Sequence, residues 1–131
     1  MSRLFLSAVL GALLLMCSPA RAQFGAENRY SPTEVSALID RVHDDLNRAY
    51  GVWHFSGSDR DRLNHAEKQL REFAGKWSQG KFDKSDLDDA IESIQHVLDS
   101  NRLPDRDRDA LSDDVARLRR MREAYEKHEI G

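Results

Sequence analysis

Cysteine is nearly missing from this chain: one residue, Cys17, among 131. It falls in a stretch that reads as a secretory signal peptide. Arg3 gives the positive start, Leu4 to Met16 is an apolar run of 13, and Ala20-Arg21-Ala22 sets small residues before a cleavage point at Gln23. Removal of residues 1–22 takes Cys17 with it. Disulfides, thiolate metal sites and covalent c-type haem are thereby excluded from the mature chain, and packing alone must hold it.

A long hydrophobic run is also lacking. Thirteen apolar residues fall short of the roughly 20 that span a bilayer, so no stable membrane anchor is expected. A lipid on Cys17 is disfavoured because Leu15 and Met16, not a small residue, precede it. An excess of positive charge is lacking too. With Arg3 and Arg21 gone, 18 basic residues face 23 acidic ones, and the net charge moves from −3 to −5. Such a chain is a poor generic binder of nucleic acid.

Catalytic signatures are absent: no G-x-S-x-G, no glycine-rich phosphate loop, no mature cysteine. The expectation is a protein that is not an enzyme. Of the five histidines, His43, His54, His65, His96 and His128, no two stand as His-x-x-x-His. Asp40-x-x-His43 lacks a second carboxylate–histidine pair, so no metal and no cofactor is expected. Met121 is the one near-core candidate for a haem ligand, and no facing histidine can be named. Asp105-x-Asp107-x-Asp109 starts like a calcium loop, but Ala110 and Ala116 replace the required glycine and glutamate.

No β-type alternation of useful length occurs. What is present is helical periodicity. After a flexible lead over 23–30, the spacing predicts helices over about 31–49, 58–78, 83–100 and 104–128. Ser31 and Pro32 suit a helix start, with Glu34 completing a capping box. Val35, Leu38, Val42, Leu46 and Ala49 form the first apolar stripe, widened by Ile39. Ser58 is the expected second cap, and Leu63, Ala66, Leu70, Phe73 and Trp77 the second stripe, ended by Gly80. Leu87, Ala90, Ile91, Ile94, Val97 and Leu98 form the third, with Asn101 as an expected left-handed stop. Leu111, Val115, Leu118, Met121, Arg122 and Tyr125 mark the fourth, with the Arg122 head in water.

The fold class predicted is all-α: an antiparallel up-down four-helix bundle, one domain over 31–131, after the signal peptide. The two hairpins echo each other. Val35, Ile39, Val42 and Leu46 match Leu87, Ile91, Ile94 and Leu98, and Leu63, Leu70, Phe73 and Trp77 match Leu111, Leu118, Met121 and Tyr125. Shared periodicity generates such an echo with or without a duplication. Acids gather on the third helix and arginines on the fourth, as complementary neighbours would require; Asp113, Asp114, Glu123 and Glu126 interrupt the basic stripe.

The segment from Tyr50 to Gly57 stands out, with three aromatics and a histidine between two helices. Tyr50, Trp53, His54 and Phe55 are the candidate binding residues, since aromatic anchors on a rigid scaffold dominate recognition. The competing reading is a plug closing the end of the core. The function expected is non-catalytic binding to an unknown protein or envelope partner by an exported bundle, periplasmic in a Gram-negative cell and otherwise secreted. The alternative is a ligand- or metal-binding bundle with its site inside the core and His43 or His65 pointing inward.

Overall fold

The computed structural model describes residues 30–130. The expected signal peptide and all of the lead except Tyr30 lie outside them. Four helices follow in order: α1 (Pro32–Val52), α2 (Gly57–Ser78), α3 (Lys84–Ser100) and α4 (Asp105–Glu126). No strand occurs among the described residues.

Each helix buries the stripe its periodicity draws. In α1, Val35, Ile39, Val42, Leu46 and Ala49 are buried, while Leu38 sits half-buried at the edge. The true stripe alternates spacings of four and three, which places Ile39 on its axis and displaces Leu38. All six expected α3 residues are buried, as are Leu111, Val115, Leu118 and Met121 of α4. Trp77 and Tyr125, matched in the two hairpins, are both half-buried at the stripe ends. Each large apolar side chain removed from water contributes about 1.5–3 kcal/mol.

Consecutive helices pack against each other and α1 also packs on α4, closing a ring of four. The closest association is between α2 and α3. One end of the ring brings the first and third connections together, through a hydrogen bond from Trp53 to Asn101. At the other end Phe82, in the second connection, stacks flat on Tyr125 of α4 at 4.0 Å. Phe73 and Trp77 of α2 meet the Phe82 ring edge-on at 4.9 and 5.6 Å.

The helix ends differ from expectation in four places. The first helix continues past Ala49 to Val52, and the Trp53 amide donates to the Ala49 carbonyl at 2.9 Å. Tyr50 is thus in the last turn of α1, not in a loop. Ser56, not Ser58, caps α2: its Oγ accepts from the Asp59 amide at 3.2 Å. This adds one residue to the helix and satisfies one of its orphan N–H groups. Asn101 is extended, at φ −131°, and not left-handed. Its side chain terminates α3 instead, Nδ2 donating to the Val97 carbonyl at 2.8 Å. Finally, α4 ends at Glu126 because His128 takes a left-handed φ of 59°. The Glu129 amide then reaches back to Ala124 O, and the His128 amide to Tyr125 O. Gly80 does the same after α2 with φ +86°, as its position predicts. Lys81 and Gly80 return hydrogen bonds to Lys76 O and Trp77 O, the paired closure of a Schellman motif.

Candidate functional site

The end formed by the first and third connections gathers the expected site residues, with one change. Phe55 is 2% exposed. It immediately precedes the α2 cap, where burying an aromatic ring is worth more than displaying it. The expectation that it grips a partner is corrected: Phe55 is the plug. Leu103 occupies the matching place before α4 and is buried as well. Tyr50 meets Phe55 edge-on at 5.5 Å, and the Arg60 guanidinium lies 5.9 Å from the Tyr50 ring centre.

Trp53 is half-buried and fixed. Its indole Nε1 donates to Asn101 Oδ1 at 3.0 Å. Asn101 Nδ2 in turn donates to Asp59 Oδ2 at 2.9 Å. The α1 terminus, the α2 first turn and the α3 terminus are therefore tied through one amide. Beside this anchor Val52 is 54% exposed, and His54 is exposed as well. Tyr50, Gly51, Val52, Trp53, His54 and Arg60 line a shallow depression of about 290 Å³. The Tyr50 hydroxyl is buried without a hydrogen-bond partner. Burial, and then the negative charge of Glu67, raise its pKa above the ordinary tyrosine value, against a smaller pull from Arg60.

The histidines do not converge. His43 is half-buried, its Nδ1 3.3 Å from Glu67 Oε2 and its Nε2 3.0 Å from Asn47 Nδ2. The cleft beside it holds about 10 Å³, at most a single water. His65 is exposed, so the inward position required by a core ligand is not the one it takes. With His96 it lines an open groove of about 350 Å³ between α2 and α3, along with Arg62, Gln69, Asp89 and Glu92. The charges there are mixed, which favours no single ligand sign. No cluster of three or more metal-ligating side chains occurs among the described residues. No described helix is long and apolar enough to cross a membrane.

The α3–α4 charges pair at two points across the seam: Arg122 with Asp88 at 3.0 Å and Lys84 with Glu126 at 2.8 Å. The Arg122 head is thus held by a carboxylate, which raises its pKa, and is not simply in water. The other expected partners bond elsewhere, Arg117 to Asp113 within α4 and Asp83 and Asp86 to Lys76 of α2.

Sequence reasoning missed one constellation. Asp114, on α4, has no exposed surface, and Asp45, on α1, is 7% exposed. Both sit where an apolar residue belongs: Asp114 between Leu111 and Leu118, Asp45 between Val42 and Ala49. That position is the signal that would have found them. Burial first, and the neighbouring Asp45 carboxyl second, push the Asp114 carboxyl up to about 8, against the pull of Arg41. Asp114 has no surface of its own to offer a ligand.

Comparison with protein-family profiles, with curated proteins and with solved structures finds no match to the chain.

Proposed function

We propose that the chain is an exported up-down four-helix bundle that works by contact and not by catalysis. It meets a protein or envelope partner at the Tyr50–His54 end. The observation that carries this reading is Val52, more than half exposed beside a tryptophan held at its backbone amide and, through its ring, at its indole nitrogen. An apolar and aromatic rim that is already ordered loses little entropy when a partner docks. Tyr50, Trp53 and His54 keep their place in the proposed surface. Phe55 supports it from beneath, and Val52 joins it.

Export rests on the amino-terminal pattern, and amino-terminal sequencing of the protein recovered outside the cytoplasm tests it: Gln23 is the expected first residue. The contact surface is tested by placing a photo-crosslinking residue at Val52 and, as a control at the far end of α2, at Gln79. A discrete adduct from Val52 alone, lost on Trp53→Ala, supports the reading. Equal labelling from both positions, or none, overturns it.

A further inference from the structure

We propose that Asp45 and Asp114 hold one proton between them and form a pH-sensitive latch across the α1–α4 seam, closed in acid and released in alkali. The argument begins with placement. Asp114 is fully buried and Asp45 nearly so, and from facing helices their carboxylates lie 3.2 and 3.9 Å from the same Arg41 Nε. Two carboxylates at such a site cannot both ionise without a large cost, because burial and mutual repulsion act in the same direction. One shared proton removes the repulsion and supplies a hydrogen bond.

The surroundings do not offer a full substitute for that proton. Both Asp114 oxygens and Asp45 Oδ2 lack a hydrogen-bond partner. Arg41 of α1 is the cation nearest Asp114: its Nε lies 3.2 Å from Asp114 Oδ1, at ion-pair distance but not aligned as a hydrogen bond. The same guanidinium is shared with Asp113 at 3.3 Å and lies 3.9 Å from Asp45. Arg48, also on α1, reaches only Asp45, at 3.7 Å. On α4 itself, Asp113 adds negative charge and is paired with Arg117. Of the remaining helices, α3 meets α4 through Asp88 and Arg122, more than two turns beyond Asp114, and α2 meets α1 through Glu67 and His43. Arg48 and Arg117 serve Asp45 and Asp113, so the buried Asp114 carboxylate has only the half-exposed and shared Arg41 within ion-pair distance once the proton departs.

The test uses the unaltered chain first. Side-chain carboxyl NMR across about pH 4 to 9 should show one resonance of the Asp45–Asp114 pair titrating above neutrality. Both titrating in the ordinary carboxylate range overturns the proposal. Asp45→Asn gives the position at 45 a permanent donor, and should bring the Asp114 titration down by about one unit or more; no change means the proton is not shared. The latch itself is read by hydrogen exchange, corrected for intrinsic rates. Between acid and about pH 9, amides of α1 and α4 should lose about tenfold more protection than those of α2 and α3. Uniform loss, or none, overturns the latch. Asp114→Asn, neutral at every pH, should abolish that difference. Should this variant fail to fold, the NMR and exchange of the unaltered chain still decide.

Discussion

Trp53 and Asn101, 48 residues apart in the chain, are joined by an indole-to-amide hydrogen bond of 3.0 Å. Through it the first connection leans on the third. Asn101 completes the arrangement by donating to Asp59 and to the Val97 carbonyl. One side chain thus ends α3, steadies the start of α2 and sets the pose of the ring proposed to meet a partner. Order at the surface is here a consequence of capping beneath it.

Asn101→Ala should cost about 1–3 kcal/mol, because it leaves the indole N–H and a helix-end carbonyl short of partners. Urea titration measures it. Tryptophan emission from position 53 should shift red in the native state, as the ring gains freedom. Asn101→Asp keeps an acceptor for Trp53 but faces the Asp59 carboxylate, so it should not restore stability. A variant equal in stability to the unaltered chain would show the amide to be dispensable.

The plug and the rim should separate cleanly. Phe55→Ala empties a buried aromatic site and should cost about 3–5 kcal/mol. Val52→Asp changes an exposed residue and should stay within about 0.5 kcal/mol in stability, while abolishing the Val52-side contact. Thermal melts of the two variants, side by side, check this. A large loss in Val52→Asp would move Val52 from surface to core.

The two Schellman ends give opposite predictions. Gly80 and His128 occupy the same left-handed position, but only Gly80 does so without a Cβ penalty. Gly80→Ala should destabilise by about 1 kcal/mol, and His128→Gly should stabilise by about 0.5–1 kcal/mol. Denaturant midpoints read both. Since His128 is exposed, a loss on His128→Gly would mean that its side chain carries a contact.

These ends also show what was legible in advance. Gly80 was readable because glycine after an apolar stripe has one common use. His128 is not readable in the same way, since histidine enters the left-handed region more often than most side chains but still too rarely to mark a helix end. The four helices and most of the core followed from periodicity, which burial enforces residue by residue. Phe55 was ambiguous in kind: an aromatic before a helix reads equally as anchor or plug, and only the closing of the ring decides. Asp45 and Asp114 were hidden for the reverse reason. Acids are assigned to the solvated face by composition, so two of them on the core stripe look like noise until the α1–α4 seam brings them together. Asn101 is legible as a stop but its device is not, since sequence does not distinguish a left-handed backbone turn from the side-chain cap that Asn101 forms on Val97 O.

The acid pair fixes the sign of the pH dependence. Asp114 is raised from 3.8 to about 8 in the folded chain. The folded state therefore holds a proton that the unfolded state releases near its ordinary value. Stability from this group is fully present below that value and is lost as pH rises through about 8. Melting temperature should then fall by about 5 °C or more between mildly acidic and alkaline solution. Arg41 lowers the Asp114 pKa by stabilising the anion, so it matters most when the anion is present. In acid, Arg41→Gln should cost well under about 1 kcal/mol, as an exposed charge does. In alkali it strips the buried carboxylate of its nearest cation. Because Arg41 is 48% exposed and screened, the expected cost there is about 1–2 kcal/mol, below that of breaking a fully buried pair. Melts of both chains at two pH values test it. A cost for Arg41→Gln that is equal at both, or larger in acid, would mean that Asp114 is ionised throughout and that the seam carries no proton.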